Sequence, residues 1–208
     1  MRLLRAPIVP LMQSDDPKIA VQIANALVDG GLTVLEVVLR TESALECLRA
    51  VIEAVPQAIV GAGTVLTETQ ALESIDAGAA FLVSPGFFAP AVKAAQNAGI
   101  DVFPGVATAT EALVGYNAGL RVLKFFPAGQ AGGVSMLKAL SAVYRDVKFM
   151  PTGGVSAQNL ADYLAIDTVI ACGGSWLTPK TLIDKDDFES VTRLALEACA
   201  IANEVRGL

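Results

Sequence analysis

Histidine is absent from this chain of 208 residues, and cysteine occurs three times, as Cys47, Cys172 and Cys199. Without histidine, neither an imidazole acid/base nor the usual catalytic zinc site can be built. The cysteines are scattered, odd in number and not arranged as Cys-x-x-Cys, which favours reduced thiols in a cytoplasmic protein. We therefore expect no bound metal and a reaction that depends on other side chains.

Positive charge and long apolar runs are also scarce. Lysine and arginine number 15 against 21 aspartates and glutamates, which gives a net charge of −6 and argues against a nucleic-acid partner. Apolar runs are too short to cross a bilayer, so we expect no membrane partner. Arg5 and Pro7 interrupt the first residues, which therefore lack the apolar core of a signal peptide.

Hydrophobic residues, by contrast, make up 53% of the chain, as expected when most strands are buried on both faces. Short apolar runs alternate with helical patterns throughout. Eight strands alternating with eight helices predict a (β/α)8 TIM barrel in which residues 1–208 form one domain. A doubly wound open sheet is the alternative, but no Gly-x-Gly-x-x-Gly opens a helix after the first strand. The predicted strands are 8–12, 34–38, 59–63, 81–84, 101–103, 122–125, 148–151 and 168–171, and the predicted helices are 17–28, 42–55, 68–77, 89–98, 109–117, 134–143, 157–164 and 188–205.

Lys124 lies within a predicted strand, between Leu123 and Phe125. A lysine is almost never fully buried without a partner or a function. Removing the amine from water disfavours its charged form, and the neutral amine can condense with a ketone to give an imine. A packed stem with a solvated head is the alternative, and this segment alone does not separate the two.

Glu36 is the predicted proton carrier. A carboxylate inside a buried strand is costly unless it is used. If Glu36 points into the barrel, it can meet Lys124 and transfer protons while the imine forms and breaks down. A structural ion pair between the two side chains is the alternative, and for Glu36 considered alone it is the favoured one.

Three polar side chains at strand ends are candidates for binding a carboxylate. Arg40 ends the same strand as Glu36, and its planar guanidinium suits bidentate binding, although a surface arginine would look the same. Thr64 and Thr152 end the third and seventh predicted strands, where their hydroxyls could hold a small carboxylate or cap the following helix.

Glycine pairs follow the last two predicted strands, as Gly153 and Gly154 and as Gly173 and Gly174, the second pair followed by Ser175. In barrels the loops at these two positions commonly bind phosphate through backbone N–H groups. Glycine lets the backbone approach the ligand closely, and the serine adds a hydroxyl donor. The sequence therefore predicts a phosphate site here.

Several segments together resemble the 2-keto-3-deoxy-6-phosphogluconate (KDPG) aldolase family, also called 4-hydroxy-2-oxoglutarate (KHG) aldolases. The resemblance covers nearly the whole chain. The segments are Pro-Ile-Val-Pro at 7–10, Leu-Glu-Val-Val-Leu-Arg-Thr at 35–41, Val-Gly-Ala-Gly-Thr-Val-Leu at 60–66, Ser-Pro-Gly at 84–86, Lys-Phe-Phe-Pro-Ala at 124–128, Pro-Thr-Gly-Gly-Val at 151–155 and Gly-Gly-Ser-Trp-Leu at 173–177.

The resemblance implies a class I aldolase that works without metal or organic cofactor and assembles as a homotrimer. It would cleave KDPG to pyruvate and glyceraldehyde 3-phosphate, and also 4-hydroxy-2-oxoglutarate to pyruvate and glyoxylate. Lys124 would form the imine and Glu36 would be the general acid/base. The other implied residues line the pyruvyl end (Arg40, Thr64, Thr152), the phosphate end (Gly153, Gly154, Ser175) and the walls (Pro85, Phe126).

The chain departs from the family pattern at two places. Val38 stands where the family usually has threonine, which bears on proton transfer beside Glu36. Only residues 1–6 precede Pro7, where many members have a helix. The rival functions are cleavage of the galactonate-derived epimer, a phosphosugar isomerase or epimerase on the same barrel, and a non-catalytic binder of a phosphorylated ligand.

Overall fold

The computed structural model describes residues 6–207, so most of the short segment before Pro7 lies outside the described residues. Eight strands and nine helices occur in the described part of the chain. The strands are β1 (Ile8–Met12), β2 (Val34–Val38), β3 (Ile59–Gly63), β4 (Phe81–Ser84), β5 (Asp101–Val106), β6 (Val122–Phe125), β7 (Lys148–Pro151) and β8 (Cys172–Gly174). The helices are α1 (Pro17–Asp29), α2 (Ala44–Ala54), α3 (Glu68–Asp76), α4 (Ala89–Ala98), α5 (Ala109–Asn117), α6 (Gly133–Val143), α7 (Leu160–Leu164), α8 (Lys180–Ile183) and α9 (Phe188–Arg206).

The strands form one parallel sheet that closes on itself. Their order is β7-β6-β5-β4-β3-β2-β1-β8, so sequential strands are neighbours and β1 pairs with β8. Isolated bridges from Phe149 to Val169 and from Thr152 to Gly173 join β7 to the β8 segment. The predicted (β/α)8 barrel is confirmed. Every helix within residues 6–207 is too short or too polar to cross a membrane.

The last predicted strand is wrong. The apolar run 168–171 touches β7 at Val169 and Ile170, whose N–H donates to the Phe149 carbonyl, but pairing with β1 begins only at Cys172. The strand therefore consists of Cys172 and two glycines. A Cβ at Gly173 would lie 2.9 Å from Cγ2 of Thr152, so bare backbone is needed where β8 approaches β7.

The other boundaries agree closely with prediction. Six predicted strands match residue for residue, and β5 runs three residues further than predicted, to Val106. Helix α7 begins at Leu160, later than the predicted 157, and the four-residue α8 was not predicted. Helix α1 is capped by Asp16 and α3 by Thr67, as their sequences indicate.

Side chains fill the barrel interior in layers. One buried group, called here the inner cluster, contains no helix residue: Val9, Val34, Phe81, Val83, Phe103, Val122, Met150, Ile170 and Ala171. Glu36 follows Val34 by two positions and Lys124 follows Val122 by two, so each points inward one layer nearer the carboxyl ends of the strands. The inner cluster is thus an apolar layer on the amino-terminal side of Glu36 and Lys124.

Candidate active site

Lys124 and Glu36 meet inside the barrel. The lysine Nζ lies 3.6 Å from Oε1 of the glutamate. Lys124 is 3% exposed and Glu36 is fully buried. The predicted burial of Lys124 is therefore confirmed, and its amine does not reach solvent as a snorkelling lysine would.

Glu36 makes no hydrogen bond within the described residues, since both carboxylate oxygens are buried and lack a donor. Buried polar atoms in proteins nearly always have partners, and exceptions call for an explanation. A pair kept for structure needs hydrogen bonds on its remaining oxygens to offset desolvation. The bare carboxylate beside an amine is instead suited to accepting and returning a proton.

Aromatic and backbone groups surround the amine. Nζ of Lys124 lies 5.2 Å from the ring centroid of Phe126, within reach of a cation–π contact when the amine is protonated. Gly105 pairs with Lys124 across β5 and β6, and a Cβ at Gly105 would overlap the carbonyl group of Pro85. Of the two residues expected as walls, Phe126 therefore lies near the amine, and Pro85 contacts Gly105, the β5 partner of Lys124.

Arg40 and Thr64 are brought together at the carboxyl ends of β2 and β3. Nε of Arg40 donates to Oγ1 of Thr64 over 3.0 Å. Thr64 has a φ of 59°, a left-handed conformation rare for a β-branched residue and frequent at functional sites. It does not cap α3, a role that Thr67 fills.

Thr152 is buried at the end of β7, where its hydroxyl donates to the Met150 carbonyl over 3.4 Å. It does not cap α7, which begins after Asn159. Thr152 follows Met150, the β7 partner of Lys124, by two positions, so it shares the strand face of Met150 and lies nearer the rim. No hydrogen bond among residues 6–207 joins Thr152 to Lys124 or Glu36.

Gly153 and Gly154 form a loop after β7, as predicted, whereas Gly173 and Gly174 belong to the buried strand β8. Gly153 and Gly154 have φ of 85° and 82°, which side chains other than glycine rarely adopt. The Gly129 amide donates to the Gly153 carbonyl over 2.8 Å, which fixes this turn against the loop after β6. Ser175, directly after Gly173 and Gly174 of β8, is exposed.

A cavity of about 460 Å³ joins Ser175 to Arg40 and Val38. Asp15, Asp16, Lys180 and Asp184 also line it, and none of them was a predicted site residue. Lys180 donates from Nζ to Oδ1 of Asp184 over 2.5 Å. Ser175, just after β8, and Arg40, just after β2, therefore face the same cavity.

Two hydroxyls that sequence reasoning missed tie the rim loops together. Thr41 donates from Oγ1 to the Ser14 carbonyl over 3.0 Å, and Thr178 donates from Oγ1 to the Leu11 carbonyl over 2.7 Å. Both fix neighbouring segments against β1. Because the acceptors are backbone carbonyls far along the chain, no sequence pattern marks them.

The thiols are poorly suited to nucleophilic chemistry. Burial, followed by the carboxylates of Asp16 and Asp15, raises the pKa of Cys47 to about 11. Burial also raises the pKa of Cys172 and of Cys199. Among residues 6–207, no group of three or more Cys, Asp or Glu side chains is placed to hold a metal ion.

Fold and site together define a class, the (β/α)8 barrels that carry a buried lysine–glutamate pair beneath the carboxyl ends of their strands. Within it, the chain belongs to the KDPG and KHG aldolase family, whose model matches residues 1–194. The predicted family resemblance is confirmed.

Named relatives agree with this placement. The KHG/KDPG aldolase of Escherichia coli K12 is 46% identical over 196 residues, 94% of this chain and 92% of that one. KDPG aldolase of Legionella pneumophila, solved with pyruvate captured as a covalent carbinolamine, superposes with a TM-score of 0.91 at 39% identity, covering 94% of this chain and 95% of that one. The KDPG aldolase of Zymomonas mobilis, solved with 3-phosphoglycerate, superposes with a TM-score of 0.90 at 42% identity. The match covers 96% of this chain and 94% of that one.

Proposed function

We propose that this protein is a lyase, a class I aldolase that cleaves KDPG to pyruvate and glyceraldehyde 3-phosphate. The observation that carries the proposal is the buried pair of Lys124 and Glu36, with 3.6 Å between Nζ and Oε1. An amine held in an apolar layer next to an otherwise unpaired carboxylate combines a nucleophile with its proton acceptor. The carbinolamine of the Legionella relative is the covalent intermediate that such an amine would form.

The reaction follows from these two groups. The Lys124 amine adds to the C2 ketone, and the carbinolamine loses water to give a protonated imine. Glu36 accepts the proton of the C4 hydroxyl, the C3–C4 bond breaks, and its electron pair moves into the imine to leave an enamine. The aldehyde departs as glyceraldehyde 3-phosphate. Glu36 returns its proton to C3, and water hydrolyses the imine to pyruvate and free lysine.

The carboxylate of the substrate is assigned to Arg40, Thr64 and Thr152. The hydrogen bond from Arg40 uses Nε and leaves the two terminal nitrogens of the guanidinium for a bidentate contact. Holding the carboxylate at the strand ends places C2 below it, toward the Lys124 amine. Pro85 and Phe126 would limit the movement of the keto acid within this part of the barrel.

The phosphate is assigned to the backbone of Gly153, Gly154, Gly173 and Gly174 and to the hydroxyl of Ser175. Glycines with positive φ after β7 turn their N–H groups without side-chain interference. Ser175 supports this assignment because it is exposed and lines the same cavity as Arg40. Ser175 and Arg40 would thus hold the two charged ends of the substrate within one cavity.

The test is a product assay with purified protein. KDPG should yield equimolar pyruvate and glyceraldehyde 3-phosphate, and Lys124→Met should abolish both. Lys148→Met is the matched control, because Lys148 begins β7 at the other end of the barrel and its Nζ donates to the Asp167 carbonyl. An epimerase or isomerase would convert KDPG without releasing pyruvate, and a binding protein would leave it intact. If the galactonate-derived epimer is cleaved faster than KDPG, that epimer and not KDPG is the preferred substrate.

We also propose that the chain acts in the cytoplasm as a homotrimer of one-domain barrels. Its three cysteines are free within the structure, as suits a reducing compartment. Sedimentation velocity tests the trimer, and a monomer at working concentration would contradict it.

A further inference from the structure

The space that the Glu36 carboxylate occupies exists because residue 63 is glycine. A Cβ at Gly63 would lie 2.6 Å from both Cγ and Cδ of Glu36 and would overlap Oε1 as well. Real Cβ atoms do not approach other heavy atoms this closely. Gly63 ends β3 and pairs with Val38 of β2, so it faces the carboxylate from the adjacent strand.

The backbone at Gly63 does not itself require glycine. Its φ is not among the positive values that favour glycine, and it lies in a regular parallel strand. An alanine could adopt this conformation without strain. The three atoms nearest the added Cβ all belong to the side chain of Glu36.

Glu36 is unusual in that packing, and not hydrogen bonding, decides where its carboxylate rests. Neither oxygen has a hydrogen-bond donor among the described residues, and the lysine amine is 3.6 Å away. A carboxylate without hydrogen bonds stays where its walls leave room. A methyl group on the β3 side would remove that room and turn the carboxylate away from Lys124.

We propose that Gly63 is a positioning residue that keeps the carboxylate of Glu36 within proton-transfer distance of the Lys124 amine. This role rests on the proposed function, because it matters only if Glu36 carries protons. Its steric part, however, can be measured without any activity.

The experiment is a double-mutant cycle with Gly63→Ala and Glu36→Ala. Gly63→Ala alone should lower kcat by roughly 100-fold, the scale of one acid/base group, with little change in KM. It should also slow exchange of the pyruvate methyl hydrogens for deuterium, which requires protonation at C3. In the Glu36→Ala background, Gly63→Ala should lower kcat by roughly twofold or less, because the conflicting side chain is gone.

Thermal melts give the second readout. Gly63→Ala should lower Tm in the wild-type background and leave it unchanged or raise it when Glu36 is alanine. If Gly63→Ala alone does not fold, a folded double variant supports the proposal and an unfolded one overturns it. Equal losses of Tm in both backgrounds, or a wild-type kcat and exchange rate in Gly63→Ala, would also overturn it.

Gly61→Ala is the matched control on the same strand. Gly61 pairs with Glu36 across β2 and β3, but the three atoms nearest an added Cβ belong to Phe81 of the inner cluster, with Cγ at 2.5 Å. This variant should lower Tm by the same amount whether or not Glu36 is present. If the wild-type protein cleaves no keto acid, the proposed function fails, while the coupling of Tm between Gly63 and Glu36 still decides the steric claim.

Discussion

Arg40 donates from Nε to the hydroxyl of Thr64 over 3.0 Å, which joins the end of β2 to a residue held at a φ of 59° just beyond β3. The bond fixes the plane of a guanidinium that is otherwise exposed. Orientation of that plane decides whether both terminal nitrogens can face a carboxylate.

Replacing Thr64 by valine removes the acceptor while keeping the β-branched shape. We expect KM for keto acids to rise roughly 10-fold or more, since a hydrogen bond to a charged group is worth about 1.5–3 kcal/mol. Thr64→Ser retains the hydroxyl, so its KM should stay near that of the wild type. Steady-state kinetics on both variants measure the effect, and equal KM values would show that the bond does not orient Arg40.

Ser175→Ala tests the phosphate end. The side chain is exposed, so its loss should not disturb the core. We expect kcat/KM for KDPG to fall roughly 10-fold or more, by the same hydrogen-bond magnitude, while unphosphorylated 4-hydroxy-2-oxoglutarate is cleaved as before. Similar losses on both substrates would make Ser175 structural.

Val38→Thr tests the departure from the family pattern. Val38 follows Glu36 by two positions, so they share a strand face, and it lines the cavity beside Arg40. A hydroxyl there can stabilise the carboxylate as the anion, which should shift the acid limb of the pH–rate profile for cleavage to lower pH. An unchanged acid limb would mean that Val38 serves packing alone. Thermal melts of Val38→Thr and of the wild type should accompany the pH profiles, because a buried hydroxyl without a hydrogen-bond partner is destabilising.

Cys47 provides a pH test of stability. Its pKa is raised from the ordinary value of 9.0 to about 11, chiefly by burial. Between these values the unfolded thiol has lost its proton while the native thiol keeps it, so native stability should fall as pH rises from about 9 to 11. Urea unfolding across this range should show a shallower decline in Cys47→Ala than in wild type. Parallel declines would contradict the raised pKa.

Much of the site could be predicted because its chemistry lies in short segments. An apolar strand interrupted by one lysine, as at Lys124, or by one glutamate, as at Glu36, is recognisable without a structure. The bounds of six strands could also be predicted, since several apolar runs end at glycine or proline, as at Gly63 and Pro151. That both side chains share the barrel interior was only a condition in the sequence argument, and the structure meets it.

The remaining features depend on contacts between distant segments. Gly173 and Gly174 look like a turn in sequence, yet they pair with β1 as strand β8, and Thr152 leaves no room for a side chain at Gly173. The clearance at Gly63 and the hydrogen bond between Arg40 and Thr64 likewise arise from strand register. Helix α8 is too short for periodicity to reveal it.

The central claim is that the amine of Lys124 forms an imine with the keto acid. The most direct measurement is reduction with borohydride in the presence of pyruvate, followed by peptide mass spectrometry. We expect one covalent adduct per chain, located on Lys124, and no adduct in Lys124→Met, while Lys148→Met should be labelled like the wild type. An adduct on another lysine, or labelling retained in Lys124→Met, would contradict it.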